Sequence, residues 1–332
     1  MEGGVTIVGG GLAGCSLAWA LRWRGCRVIL VDRGEPDTST KVAAGIINPI
    51  TGPNLTLSWR FGDLWGAALD FYQRISETCG SPLFHQIPLL RLFDSDRQVA
   101  RWAKRCNDKR YPRLCDPAPE VPPCYASEFG GFQTPAAGYL DTGAFLSATR
   151  SALAGDWQEG EFPHGAAPGG AVIFCEGMGA TANPLFDWVT FKPAKGEVLT
   201  VESDDLPSDR IVNRGGVWLL PIGGNRFRAG ATYRWGATDS DPTAEGRDEI
   251  ETRLRRLVSV PLTVVGHRAA VRPVIRASRL LIGMHPARPE VGFFNGLGSK
   301  GVLTAPYFAQ QFAAALLGQG EIDPEVDLRK NL

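Results

Sequence analysis

The stretch "VTIVGGGLAGCSLAWALRWRGCRVILVDR" (residues 5 to 33) constrains the fold more than any other. A short apolar run meets a glycine cluster, a stretch of helical period closes at Gly25, and a second apolar run ends at Asp32. That pattern predicts strand, turn, helix, strand. Within it Gly9, Gly11 and Gly14 satisfy GxGxxG in the context that gives the motif meaning. Gly9 permits the tight turn, Gly11 lets a pyrophosphate approach the backbone, and Gly14 allows helix and strand to touch. Leu12 and Ala13 stand in the first helical turn, where unpaired N–H groups and the positive dipole end favour an anion. Asp32 is placed to accept a ribose hydroxyl, with Arg33 beside it. The reading is an α/β fold with a Rossmann-like dinucleotide-binding domain.

Regular βα alternation stops after Asp32. A polar loop "GEPDTSTK" and the irregular "VAAGIINPITGPN" follow, which favours FAD over NAD, because the far end of FAD is gripped by distant pieces of chain. Residues 82 to 139 are proline-rich and read as an insertion. It holds the strand-like "IPLLRLF" and a basic helix and loop. A helix over 141–153, capped by Asp141 or Thr142, and a strand over 171–179 return to Rossmann-like material. Strand-like segments between 197 and 233, with turns at Gly215-Gly216 and Gly223-Gly224-Asn225, predict an antiparallel sheet. An amphipathic helix follows, "VVGHRAAVRP" leads back, and two strands, "RLLIGMHP" and "VGFFNGLG", feed a final helix. The expected organisation is a discontinuous FAD-binding domain (1–81, 140–195 and 266–332) and an α+β substrate domain (82–139 and 196–265).

Thirty-five basic residues balance thirty-five acidic ones in 332, so no net field draws nucleic acid or an anionic membrane. The segment 97–113 is locally basic, with Arg97, Arg101, Lys104, Arg105, Lys109, Arg110 and Arg113 against Asp108. It is either a solvated face or a phosphate contact. Neither an n-region nor an h-region precedes the first strand, and the longest apolar stretch contains Pro306 and two glutamines, so the expectation is a cytoplasmic protein without a membrane span. Seven scattered cysteines without CxxC predict reduced thiols, and His85, His164, His267 and His285 have no metal-ligand spacing.

A second glycine-rich loop, "NGLGSKGVLTAP" (295 to 306), also runs into a helix. Taken with "STKVAAGIINP", "GGFQTPAAGYLDTGAFLSAT", "VIFCEGMGA", "PAKGEVLTVE", "WLLPIGGNRFRAGATY" and "RPVIRASRLLIG", in that order along the chain, it resembles the glycine oxidase and D-amino-acid oxidase family of FAD-dependent amine oxidoreductases. The closing motif is also similar to the oxidase half of the tRNA wobble-uridine enzyme that acts on a carboxymethylaminomethyl group.

The resemblance implies non-covalent FAD, since no cysteine lies between Arg272 and the final strand. It puts Gly296, Gly298, Ser299, Lys300, Gly301 and Val302 at the flavin's pyrimidine edge. Lys300 there either adds a positive charge or faces solvent. Ala44, Gly45 and Asn48 would lie along the flavin and ribityl chain, Thr40 and Lys41 at the phosphates, and Gly177 at the nucleotide. Arg272 of "VRP" would bind a substrate carboxylate, a task its planar fork suits. Tyr233 and Trp218 stand as pocket walls or as core, and Arg228 either near flavin N5 or facing solvent. Arg276 and Arg279 depart from the family's pattern and receive no role.

The implied function is oxidation of the C–N bond of an amino acid or secondary amine by hydride transfer to flavin N5, with oxygen or a quinone as acceptor. The alternatives are a tRNA-modifying flavoenzyme and a flavin-binding scaffold.

Overall fold

The protein was analysed as a computed structural model that describes residues 4–166, 169–275 and 279–331. Strand β1 (Val5–Val8), helix α1 (Leu12–Arg22) and strand β2 (Val28–Asp32) form the predicted unit. They sit in a six-stranded sheet ordered Trp157–Glu159, β2, β1, Ala171–Phe174, Arg288–Asn295, Leu281–His285. All neighbours pair in parallel except the last two strands. β1 and Ala171–Phe174 are buried along their whole length, as central strands covered on both faces must be.

One face carries α1, the helix Phe61–Cys79 and the C-terminal helix Gly301–Leu316, whose apolar sides merge into the largest core cluster. The other face packs Val8, Phe174, Phe186 and Phe293 together. Pro306 leaves the Val302 carbonyl without its helical N–H, and the Tyr72 hydroxyl donates to that carbonyl at 2.8 Å instead.

The second sheet is larger and mostly antiparallel. Its order is Arg234–Trp235, Ala194–Glu202, Arg226–Gly230, Val217–Gly223, Ile211–Arg214, Leu89–Leu92, Gly131–Thr134, and Thr263–Arg272 pairs along Ala194–Glu202. Only Ile211–Arg214 and Leu89–Leu92 pair in parallel within it. The helix Ala244–Arg255 covers its outer face. Buried Glu197 pins that helix's start, accepting from the Thr243 N–H and hydroxyl, both at 2.8 Å, with His267 Nε2 also at 2.8 Å.

The α/β class with an added antiparallel sheet is as the sequence predicts, with local differences. The strand expected over 171–179 ends at Phe174, because the chain turns into a 3-10 helix (Gly177–Ala182), with Gly177 at φ +56°. Thr263–Arg272 straddles the expected boundary at 266 yet belongs wholly to the second sheet. The edge strand Trp157–Glu159 is too short to carry a pattern, whereas the helix Phe61–Cys79 does carry one, with Phe61, Leu64, Ala68, Phe71, Tyr72 and Ile75 buried at helical spacing, which the sequence reading passed over. All seven cysteines are unpaired thiols. Among the described residues no helix is long and apolar enough to cross a membrane.

Candidate active site

A cavity of about 820 Å³ runs between the two sheets. One end is the β1–α1 loop, and the other is the inner face of the larger sheet. The loop end is shaped by glycines that nothing else could replace. A Cβ on Gly14 would lie 1.9 Å from the Gly9 carbonyl oxygen, and one on Gly9, itself at φ +107°, would lie 2.5 Å from the Cys175 carbonyl oxygen. Gly10 is pressed by Trp157, whose ring would be 2.6 Å from an added Cβ. Gly11 is different. The sole atom near its missing side chain is Thr40 Oγ1, at 3.3 Å, and Gly11 faces the cavity.

Asp32 braces this loop, accepting from Gly10 N–H at 2.6 Å and Gly34 N–H at 2.9 Å, and lines the cavity beside Arg33. Thr40 Oγ1 accepts from Leu12 N–H at 3.0 Å, tying the following loop to the helix start. Leu12, Ala13, Ala44, Gly45, Asn48 and Gly177 all reach the wall. Lys41 does not, since its ammonium turns back to the Glu35 carbonyl. Gly14 and Gly296 also stand behind the wall, where they allow close packing, against Gly9 and against Ile275 respectively.

Gly298, Ser299, Lys300, Gly301 and Val302, at the start of the C-terminal helix, line the middle of the cavity. Lys300 does not face solvent. Its ammonium donates to Thr51 Oγ1 at 3.0 Å and Ser58 Oγ at 3.1 Å, and burial pulls its pKa down to about 8. Arg228 donates to the Ala43 carbonyl at 2.7 Å and is half-buried; it lies outside the cavity wall.

At the far end, Arg272 and Tyr233 come together, with the guanidinium carbon 4.7 Å from the ring centroid. The guanidinium lies over Gly196, where an added Cβ would meet it at 2.2 Å, so a glycine there makes the space it occupies. Its nearest acceptors are the Ala194 and Thr232 carbonyls at 3.5 and 3.4 Å. No carboxylate pairs with it among the described residues, and burial lowers its pKa. A cation left in that state favours an incoming anion. Trp218 lines the same face. Arg279 pairs with Glu325 and stacks on Trp59, away from the cavity, while Arg276 lies outside the described residues.

Arg91, Gln98 and Asn213 also line the cavity, and sequence reasoning missed them. The signal available for Arg91 was a charge in the otherwise apolar "PLLRLF". The loop end fits a dinucleotide: it offers a helix start with an open glycine, an acid at the end of the motif's second strand, and a cavity that continues to the larger sheet.

The sequence profile of the FAD dependent oxidoreductase (DAO) family matches residues 4–315. The tRNA 5-methylaminomethyl-2-thiouridine biosynthesis bifunctional protein MnmC of Idiomarina loihiensis is 24% identical over 95% of the chain and 56% of its own length. The chain thus spans just over half of that relative. Glycine oxidase of Pseudomonas aeruginosa is 26% identical over 96% of both chains. The crystal structure of glycine oxidase from Bacillus cereus superposes with a TM-score of 0.84 at 18% identity, covering 96% of each chain.

Proposed function

The chain belongs to the DAO family of FAD-dependent oxidoreductases, and from that premise we propose that it oxidises the C–N bond of an amino acid or secondary amine that carries a carboxylate. The observation that carries this reading is the unpaired Arg272 guanidinium, facing the same cavity as the glycine loop. FAD, when bound, supplies a two-electron acceptor for the hydride on the carbon beside the substrate nitrogen.

The chain's own residues hold and orient. Gly11 and Ala13 would hold the pyrophosphate by backbone N–H groups, with Leu12, whose N–H goes to Thr40, lining the site beside them, and Asp32 would take a ribose hydroxyl. The helix start at Gly298–Val302 sets a positive dipole end against the flavin, which favours its reduced, anionic form. Lys300, buried beside it, adds its charge below about pH 8. Arg272 grips the carboxylate, and Tyr233, stacked on it, walls the carbon chain. Non-covalent FAD and an oxygen or quinone acceptor complete the reading.

The test is anaerobic mixing of the yellow protein with D-amino acids, L-amino acids, glycine and N-alkyl glycines. Loss of the oxidised flavin band with carboxylate-bearing amines supports it, and an unchanged spectrum with every amine overturns it.

One observation favours a second reading. Arg101 and Arg105 of the basic helix Asp96–Arg105 donate to the Pro53 and Asn54 carbonyls, so that helix borders the cavity wall at Pro53. A tRNA whose carboxymethylaminomethyl group entered the cavity would meet this face with its phosphates. Binding of tRNA that weakens steeply as salt rises would support it.

A further inference from the structure

The cavity holds more cation than one substrate carboxylate needs. Arg91, on the strand Leu89–Leu92, is only 4% exposed, yet no carboxylate bonds to it among the described residues. Its guanidinium donates to Asn213 Oδ1 at 2.7 Å and, weakly, to the Gly52 carbonyl at 3.4 Å, while Nε has no partner. Gln98, 6% exposed, adds an unpartnered Oε1 on the same wall. The carboxylate that acts on Arg91 is that of Asp94, which lines the same cavity but is exposed, accepts from the Ser95 hydroxyl and makes no hydrogen bond to the guanidinium.

Lys300 reaches the same place from the other side. It donates to the Thr51 hydroxyl, and Arg91 to the adjoining Gly52 carbonyl, so a half-buried and a buried cation reach adjacent residues. The register of the larger sheet joins this place to Arg272. Arg91 faces Asn213, Asn213 faces Trp218, Trp218 faces Gly230, and Gly230 faces Val198, two residues along from Gly196, against which Arg272 lies. Opposed residues share a face, and Arg91, Asn213, Trp218, Val198, Gly196 and Arg272 all line the cavity.

We propose that the cavity carries a second anion-binding subsite, built by Arg91 and Lys300 at Thr51–Gly52, and that the substrate bears a second anionic group, carboxylate or phosphate in kind, on the side of its amine away from Arg272. The inference rests on the assignment of Arg272 to the first carboxylate. A buried guanidinium with unused donors is completed by an acceptor, and a charged, planar one gives short, paired bonds. A neutral N-alkyl chain would leave both cations facing an uncharged group in a low-dielectric space, at a cost that selects against it.

The test uses the FAD-loaded protein and reads binding by calorimetry alongside anaerobic loss of the flavin band. N-methylglycine, iminodiacetate and N-(phosphonomethyl)glycine are titrated, and so is inorganic phosphate alone. The two dianionic amines are expected to bind about tenfold or more tighter than N-methylglycine, and whichever of them is preferred tells carboxylate from phosphate. Arg91→Met should remove this preference, Arg91→Lys should keep part of it, and Arg272→Met should leave phosphate binding in place.

Equal affinity for one and two anionic groups overturns the subsite. So does an Arg91→Met variant that weakens all three amines alike, or phosphate that fails to bind the loaded protein. Should Arg91→Met not fold, the closer-shaped Arg91→Gln must weaken phosphate binding, and unchanged affinity there is equally fatal. Phosphate binding that depends on Arg91 in a protein that oxidises no amine would uphold the subsite while sinking the proposed function.

Discussion

At the β1–α1 end of the cavity the wall is backbone, held by contacts that leave no room for a side chain. At the sheet end it is side chain, with guanidinium groups that have few partners. Gly14 and Gly9 touch carbonyl oxygens directly, and Asp32 accepts two backbone N–H groups to hold the loop. Arg272 makes only long hydrogen bonds, and Arg91, beyond one short bond to Asn213, has a weak contact and an Nε without a partner. An end that must always hold the same cofactor can be built rigid, since its geometry is needed before any ligand arrives. An end that meets substrate and releases product keeps part of its bonding capacity unspent.

The contrast can be broken by single substitutions. Arg272→Met should lower kcat/KM for the amine by about 2 to 5 kcal/mol of transition-state binding. Flavin content and thermal midpoint should stay close to those of the parent. A nearly unchanged kcat/KM would remove Arg272 from the site. Gly14→Ala should do the reverse, costing about 3 kcal/mol of stability because backbone, not a movable side chain, blocks the new methyl group. Denaturant unfolding measures it, and the purified variant should be colourless. A stable yellow Gly14→Ala protein would show that the loop end is more pliant than its contacts imply.

A smaller effect separates the middle of the cavity from both ends. Burial lowers the pKa of Lys300 from 10.5 to about 8, so the unfolded chain binds its proton more tightly than the folded one. Stability in the parent should therefore rise with pH between about 8 and 10.5, relative to Lys300→Met. Subtracting the two unfolding free energies at each pH isolates this slope, and a flat difference would place the ammonium in water. The smallest change expected is in Thr40→Val, which loses the bond to Leu12 N–H and should cost about 1 kcal/mol in stability of the flavin-free protein.

The same contrast explains what the sequence disclosed. Gly9, Gly11 and Gly14 were legible because a backbone requirement admits one residue type at fixed spacing, and Asp32 because it ends a strand. Arg272 was found through the resemblance carried by "VRP" and its neighbours, not through any spacing of its own. Arg91 was invisible, because its importance depends on Asn213 and Gly52 being beside it, and those lie 122 and 39 residues away. Lys41 shows the converse. It sits next to Thr40 in sequence, but the short helix Ser39–Val42 turns the two side chains to opposite sides, one to Leu12 and one to Glu35. The Trp157–Glu159 strand escaped notice for a similar reason, since its job is to cover Gly10, from an element 147 residues on.

The six-stranded sheet also governs how the chain comes into being. β1 lies between β2 and Ala171–Phe174, whose other neighbour, Arg288–Asn295, is made long after it, as is the helix that packs on α1. A ribosome therefore releases the glycine loop long before the strands and helix that bury its surroundings exist. The apolar sides of α1 and β1 must wait, exposed, until those later segments are made, which makes folding slow and the nascent protein dependent on protection from aggregation. It also means that clipping the C-terminal helix, though it lies far from the dinucleotide motif in sequence, would disable that motif.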